Sequence, residues 1–174
     1  MWFVAFVVNP SDSVTTPLRL ARVTLSDRAS GGIYADLSGP EIERILRASF
    51  GDEPTILVRL IPDDRDGIGA TLRALCDDDH CDLIVTTGGT GPAPRDVTPE
   101  ATRDVIEREL PGFGEAMRAV SFAKVPTAIL SRATAGTRGR TLIVNLPGNP
   151  RAIGECLPPL LPAIRECLKH LNGG

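Results

Sequence analysis

Several residue types on which common protein functions depend are scarce in this chain. Aromatic residues make up 4% of its 174 residues, and histidine occurs twice. The sequence therefore offers no stacking platform for single-stranded nucleic acid. His80 and His170 lie in contexts that do not favour a general base. A basic excess is also lacking, because the formal net charge is −3, whereas a general nucleic-acid binder usually carries positive charge. We expect no nucleic-acid partner.

Long hydrophobic runs and paired cysteines are lacking as well. The apolar start, Met1–Val8, is too short to span a bilayer and has neither the basic start nor the cleavage site of a signal peptide. We therefore expect no membrane association. The four cysteines form no Cys-x-x-Cys pair, which disfavours a zinc site. Cys156 and Cys167 have the spacing of one buried helical face, and buried thiols suit a cytoplasmic protein.

Residues 18–172 have the length of one domain, and residues 1–17 are predicted to be an N-terminal extension. A polar linker from Asn9 to Pro17 separates the apolar start from the domain. A mobile tail, an added edge strand and an artefact of the start site are all compatible with this extension.

Strand-like and helix-like segments alternate through the domain. The expected strands are Leu20–Leu25, Thr55–Ile61, Leu83–Val85, Thr127–Ala133 and Thr141–Leu146, with a turn at Gly136–Gly139. The expected helices begin at a Ser38/Glu41 capping box, at Ile68, at Pro99 (to Glu109) and at Glu115 (to Lys124), followed by a proline-broken helical tail over Ile153–Leu171. This alternation predicts an α/β fold with a mainly parallel sheet.

The segment Asp82–Glu100 is the most informative part of the sequence. An unbroken apolar run, typical of a strand buried on both faces, leads into Gly88, Gly89 and Gly91. Thr98 then has the character of a helix N-cap. Strand, glycine loop and helix in this order favour anion binding at the carboxyl end of a parallel sheet. A tight connection without a ligand is the simpler alternative.

Polar clusters follow four of the predicted strands. They are Ser26-Asp27-Arg28, Pro62-Asp63, Thr86–Gly91 and Leu146–Asn149. The carboxyl ends of parallel strands gather on one edge of a sheet, so we expect these clusters to share one pocket. The glycine loop lacks the Gly-Lys-Ser/Thr of a P-loop and the spacing of a Rossmann turn.

Thr86–Thr102, with the sequence TTGGTGPAPRDVTPEAT, resembles the signature of molybdenum-cofactor biosynthesis proteins of the Mog type, the bacterial molybdopterin adenylyltransferases. The resemblance runs from about Leu18 to Leu168. It continues through Ser26–Gly31, Leu60–Asp63, Pro111–Glu115, Ala128–Arg132 and Leu146–Pro150.

This resemblance implies a single three-layer α/β domain, commonly a homotrimer, that adenylylates molybdopterin. The molybdopterin phosphate would attack the α-phosphorus of ATP with the assistance of Mg²⁺, releasing pyrophosphate, and a separate molybdenum-insertion protein would be a further partner. The functional acids of the family match Asp63 and Asp96 here. We expect both as catalytic residues and metal ligands, since Mg²⁺ prefers oxygen ligands and one or two carboxylates with substrate phosphates suffice.

The remaining candidate residues would bind the substrates. The amides of the glycine loop would hold phosphate oxygens, hydroxyls would donate neutral hydrogen bonds, and arginines could grip two oxygens at once. For Arg95 two roles are compatible with the sequence: binding of phosphate oxygens and an ion pair with Asp96. The substrate-binding candidates are Ser26, Arg28, Thr87, Gly88, Gly89, Thr90, Gly91, Ser121, Ser131, Arg132, Pro147, Gly148 and Asn149.

Two other functions are compatible with the same fold. A molybdopterin-binding or scaffold module without catalysis would bind the pterin tightly and leave it unmodified. A nucleotide pyrophosphatase or deamidase of the competence-damage type shares the glycine motif and would act on the nucleotide without a pterin.

Overall fold

A six-stranded sheet forms the middle layer of the computed structural model, which describes residues 17–173. The strands are β1 (Arg19–Leu25), β2 (Thr55–Ile61), β3 (Leu83–Thr87), β4 (Arg108–Glu109), β5 (Ala135–Arg138) and β6 (Thr141–Leu146). Their order is β2-β1-β3-β6-β5-β4. The first four strands of this order are parallel, and β5 and β4 extend the sheet as antiparallel strands. The prediction for residues 1–16 lies outside the described residues.

Helices cover both faces of this sheet. They are α1 (Asp27–Ser30), α2 (Ser38–Phe50), α3 (Arg65–Asp77), α4 (Thr98–Arg103), α5 (Pro111–Phe122), a 3₁₀ helix (Pro126–Leu130) and α6 (Pro150–Leu171). One hydrophobic core joins α2, α5 and α6 to the sheet, and a second joins α3 and α4 to its other face. The predicted three-layer α/β domain with a mainly parallel sheet is confirmed.

The predicted burial of β3 is also confirmed, because all five of its residues are buried. It lies between β1 and β6 in the sheet, and its apolar side chains enter both cores. Burial on both faces removes the need for alternation between polar and apolar residues, so a continuous apolar run results. The strand therefore holds the glycine loop that follows it at the centre of the sheet.

Helices α2 and α4 both begin where they were predicted to within one residue, but the two predicted caps are wrong. Ser38 does not form a capping box, because its Oγ donates to the carbonyl of Gly148 and the amides of Ser38 and Gly39 donate to Asp36 Oδ1 instead. Thr98 lies inside α4, and its Oγ1 donates to the carbonyl of Gly88 at 2.9 Å. Both hydroxyls thus tie a helix start to the edge of the sheet where the polar loops lie.

Three predicted elements after Pro99 are also wrong. The helix expected to reach Glu109 ends at Arg103, and the expected turn Gly136–Gly139 belongs largely to β5, which pairs with β4. The strand expected at Thr127–Ala133 is the 3₁₀ helix, with Ile129 and Leu130 exposed. The apolar residues of this segment therefore lie on the surface of the molecule and do not belong to the sheet.

The C-terminal helix is continuous, contrary to the expected proline break. The interior prolines Pro158, Pro159 and Pro162 are exposed. The opposite face is buried against the sheet and α2 through Leu157, Leu160, Ile164 and others. Each proline removes one backbone hydrogen bond, and the burial of this long apolar face offsets that cost.

Candidate functional site

The four polar clusters that follow the parallel strands meet at one edge of the sheet, as predicted. The amide of Ser26 after β1 donates to the carbonyl of Ile61 in β2 at 3.0 Å, and the amide of Gly88 after β3 donates to Leu146 in β6 at 3.3 Å. Thr87 Oγ1 reaches the carbonyl of Pro147 at 2.8 Å. Each loop is thereby fixed to its neighbour.

The glycine loop lies between the two predicted acids. Gly89 has a φ of +61°, and a Cβ there would overlap Thr98 Oγ1 and come within 3.2 Å of Asp63 Oδ1. A Cβ on Gly91 would come within 2.8 Å of Asp96 Oδ2. The positive φ and the Thr98 hydroxyl favour glycine at Gly89, and the close approach of Asp96 favours it at Gly91.

The loop presents backbone donors that the protein does not use. Within residues 17–173, the amides of Gly89, Thr90 and Gly91 donate no hydrogen bond to another group of the chain. The loop is nevertheless held, because the carbonyl of Gly89 accepts from the amide of Thr98 and the carbonyl of Thr90 accepts from the amide of Arg132. Consecutive free amides on a fixed loop are the elements of an anion-binding nest.

The Asp63 carboxylate is affected by the negative charges of Asp27 and Asp96. Asp63 Oδ2 accepts from the amide of Asp27 at 3.0 Å, and Asp27 Oδ1 accepts from the amide of Asp63 at 3.1 Å. Burial raises the pKa of Asp63, and the negative charges of Asp27 and Asp96 raise it further. A half-buried acid under the influence of two other negative charges is a position where a cation is favoured.

Arg95 forms an ion pair with Asp27 and not with Asp96. The Arg95 guanidinium donates to Asp27 Oδ2 and holds the pKa of that carboxyl below its usual range. Asp96 Oδ2 instead accepts from the amide of Ala93 at 3.0 Å, within its own loop. Asp27 was not selected from the sequence; its position directly after β1, beside Ser26, was the available signal.

Arg132 is engaged by the protein through its whole guanidinium group. Its Nε donates to the carbonyl of Gly91 at 2.9 Å, Nη2 donates to the carbonyl of Asp96, and Nη1 pairs with Glu100. These partners belong to the glycine loop, the acid-bearing turn and α4. Arg132 thus joins three parts of the site, an arrangement that the expectation of phosphate binding did not include.

A cleft of about 350 Å³ opens on one side of the Pro147–Asn149 turn, within the range of small-molecule sites. Its lining includes Ser26, Tyr34, Thr87, Gly88 and Gly148. The turn approaches the glycine loop closely, since a Cβ on Gly148 would lie 3.3 Å from the Cα of Gly88. Four predicted residues are thus brought together here, with Tyr34 as an additional one.

A second depression of about 220 Å³ lies on the other side of the same turn. It is lined by Ser121, Ser131, Pro147 and Asn149 among others. Ser121 Oγ lies 3.1 Å from the Cys156 thiol. The Asn149 side chain caps α6 by accepting from the amide of Arg151. The predicted residues therefore divide into two adjoining depressions and the acid-lined glycine loop, so the prediction of one shared pocket is wrong although the clusters do share one edge of the sheet.

A buried polar network supports this edge from below. Asn145 in β6 is fully buried, and its Nδ2 lies 3.0 Å from both Thr86 Oγ1 and Thr102 Oγ1. These bonds join β6, β3 and α4. Buried polar groups that are paired in this way fix the relative positions of their elements.

A third depression, of about 970 Å³, lies at the opposite edge of the sheet, around Arg19, Asp82 and Thr141. None of the predicted site residues lines it. In residues 17–173, no helix is long and apolar enough to cross a membrane. The same residues contain no group of three or more His, Cys, Asp or Glu side chains that could hold a metal ion by themselves.

Known proteins resemble this chain along most of its length. The molybdopterin adenylyltransferase of Helicobacter pylori (strain 26695) is 49% identical over 156 residues, covering 90% of this chain and 89% of the relative. The molybdopterin adenylyltransferase of Escherichia coli K12 is 51% identical over 153 residues, covering 88% and 78% respectively.

Solved structures agree with this resemblance. The molybdopterin biosynthesis enzyme MoaB of Thermus thermophilus superposes with a TM-score of 0.82 at 42% identity, covering 90% of this chain and 98% of that one. The Mog protein of Mycobacterium ulcerans gives 0.81 at 35% identity, covering 88% and 99%. The sequence model of the protein family described as "probable molybdopterin binding domain" matches residues 21–166 of this chain. The chain therefore belongs to this molybdenum-cofactor biosynthesis family.

Proposed function

We propose that the chain is a molybdopterin adenylyltransferase that uses ATP as the adenylyl donor. Relatives of this name are 46–51% identical over most of the chain. The observation that carries the proposal is the glycine loop, whose free amides lie between Asp63 and Asp96 at the edge of the cleft. An in-line displacement at phosphorus requires this kind of positioning and charge stabilisation rather than a covalent intermediate.

The reaction exchanges one phosphorus–oxygen bond for another. An oxygen of the molybdopterin phosphate bonds to the α-phosphorus of ATP, and the bond from this phosphorus to the bridging oxygen breaks. Adenylyl-molybdopterin and pyrophosphate result. The amides of Gly89, Thr90 and Gly91 would stabilise the charged phosphate oxygens, and the fixed loop would hold the two phosphates in line.

The proposal includes Mg²⁺ bound by the two predicted acids. Asp63 and Asp96 would hold it, with phosphate oxygens and waters as the other ligands, and it would neutralise charge on the triphosphate. Burial raises the pKa of Asp63, and the charges of Asp27 and Asp96 raise it further, so a bound cation would stabilise its ionised form. In this role Asp27 fixes Asp63 through the paired amide–carboxylate hydrogen bonds.

A homotrimer, a cytoplasmic location and a separate molybdenum-insertion protein as recipient of the product complete the proposal. Cys76, Cys81, Cys156 and Cys167 are free thiols in the structure, which suits a reducing compartment. Light scattering measures the oligomeric state directly, and a mass other than three chains would refute the trimer.

Incubation of the purified protein with molybdopterin, ATP and Mg²⁺ tests the activity. We expect adenylyl-molybdopterin and pyrophosphate only when both substrates are present, and an Asp96→Asn variant should lose most of the turnover while remaining folded. Tight binding of molybdopterin without adenylylation would establish the scaffold module instead. Pyrophosphate release from ATP alone would favour the nucleotide pyrophosphatase.

A further inference from the structure

The cleft beside the glycine loop contains one aromatic side chain among its lining residues, that of Tyr34. Tyr34 lies in the loop between α1 and α2 and is 46% exposed. Its neighbours Ile33 and Leu37 are also exposed, at 74% and 68%. In a protein with 4% aromatic residues, this ring is the principal flat apolar surface available to a ligand of the cleft.

The ring is held in place from two directions. Its hydroxyl and Ser26 Oγ share a hydrogen bond of 2.9 Å. The guanidinium carbon of Arg28 lies 5.2 Å from the ring centroid, within the range of a cation–π contact. Ser26 itself is fixed, since its Oγ accepts from the amide of Ala29 and its own amide donates to β2. A ring that is ordered before the ligand arrives loses little conformational entropy on binding.

We propose that Tyr34 is a specificity-determining residue, on whose ring a flat heteroaromatic ring of a substrate stacks. The inference rests on the proposed function, because molybdopterin and ATP both carry such a ring. Arg28 lies over the Tyr34 ring, and the side chain remains 46% exposed and lines the cleft, so it is accessible to a substrate. The phosphate-binding amides lie at the same edge of the sheet, so one ligand can place its ring against Tyr34 and its phosphate at the loop.

Two substitutions separate the ring from its hydroxyl. Tyr34→Phe keeps the ring and removes the hydrogen bond to Ser26, whereas Tyr34→Leu keeps an apolar side chain and removes the ring. Stacking of a base on an aromatic side chain corresponds to about a 5- to 150-fold change in Kd. We expect this loss for one substrate in Tyr34→Leu and a change of about twofold or less in Tyr34→Phe. Ile33→Ala, an exposed neighbour, is the control.

A spectroscopic measurement reports on the ring in the unsubstituted protein. The chain contains one tyrosine, so incorporation of 3-fluorotyrosine gives a single ¹⁹F resonance that belongs to Tyr34. This label is titrated separately with molybdopterin and with α,β-methylene-ATP, which cannot undergo the transfer. One of the two ligands should shift the resonance and bind with a higher Kd in Tyr34→Leu. If that ligand is molybdopterin, the ring that stacks on Tyr34 is the pterin; if it is the ATP analogue, the stacking ring is adenine.

Calorimetric titration of both ligands distinguishes the possible failures. If both ligands bind, the resonance stays in place and Tyr34→Leu binds them as the native protein does, the stacking role is refuted and the proposed function stands. Equal losses in Tyr34→Phe and Tyr34→Leu would also refute stacking, because the hydroxyl alone would account for them. If neither ligand binds the native protein, the proposed function itself fails.

Discussion

Replacement of Arg132 distinguishes a positioning role from direct binding of phosphate. In Arg132→Ala, the hydrogen bonds to the carbonyls of Gly91 and Asp96 and the ion pair with Glu100 are lost together. The Arg132 side chain is 36% exposed and that of Glu100 is 33% exposed, so solvent screens these contacts in part. At about 0.5–1.5 kcal/mol for each contact, the variant should lose about 2–4 kcal/mol of unfolding free energy.

Urea denaturation measures this loss as a decrease of about 1–2 M in the midpoint, at an m value typical of the size of this domain. Arg132→Lys keeps the charge but cannot present a planar fork to three acceptors, so it should fall between the native protein and Arg132→Ala. Arg151→Ala is the matched control. That side chain is 86% exposed in an i,i+4 pair, and its removal should cost less than about 0.5 kcal/mol.

Turnover supplies the second measurement. Loss of the Arg132 contacts frees the turn that carries Asp96, so kcat should fall by at least about tenfold, since small misplacement of a reacting group is costly. An unchanged urea midpoint in Arg132→Ala, together with a raised KM for ATP and an unchanged kcat, would contradict the positioning role. That result would restore the interpretation made from the sequence, in which Arg132 binds phosphate.

Three further predictions concern the backbone, the acids and the thiols. Gly88→Ala should lose about 2–4 kcal/mol of stability in urea, because φ is +104° and a Cβ would overlap a backbone carbonyl of β1, whereas Gly139→Ala, at φ +53° in open space, should lose about 1 kcal/mol. Burial and neighbouring charges raise the pKa of Asp63, so its ionisation destabilises the folded state. Asp63→Asn should therefore be at least as stable as the native protein at pH 7, although it loses turnover. The difference in unfolding free energy between the two proteins should vanish as the pH falls through that raised pKa. A variant that is less stable than the native protein at pH 7 would contradict this. Burial raises the pKa of Cys76 to about 11 and of Cys81 to about 12, so mass spectrometry should find both unmodified by iodoacetamide at pH 8 until the protein unfolds.

The parallel sheet was predictable because its strands carry their own signal. The run in β3 is apolar on both faces, and such a run is typical of a central parallel strand. The gathering of four polar loops followed from the geometry of parallel strands alone. The antiparallel β4 and β5 were missed, since β4 has two residues, both exposed, and β5 contains a glycine that the pattern assigns to a turn.

The pairing of side chains within the site was much less predictable. Arg95 contacts Asp27, which is 68 residues away in sequence, rather than the adjacent Asp96. Arg132 reaches Glu100 across 32 residues. An arginine side chain is long enough to reach several carboxylates, so its partner depends on the tertiary arrangement of loops. The predictions of the helix caps also failed because of tertiary contacts. The hydroxyls of Ser38 and Thr98 donate to the carbonyls of Gly148 and Gly88, which lie outside their own helices.

These pairings alter the expected charge balance of the glycine loop. The loop lacks the lysine of a P-loop, and both Arg95 and Arg132 are engaged with carboxylates of the chain. Burial and the charges of Asp27 and Asp96 raise the pKa of Asp63, and the charge of Arg95 offsets this only in part. A bare triphosphate would be repelled by these acids, so the nucleotide should bind together with a divalent cation that satisfies the carboxylates and the phosphates at once.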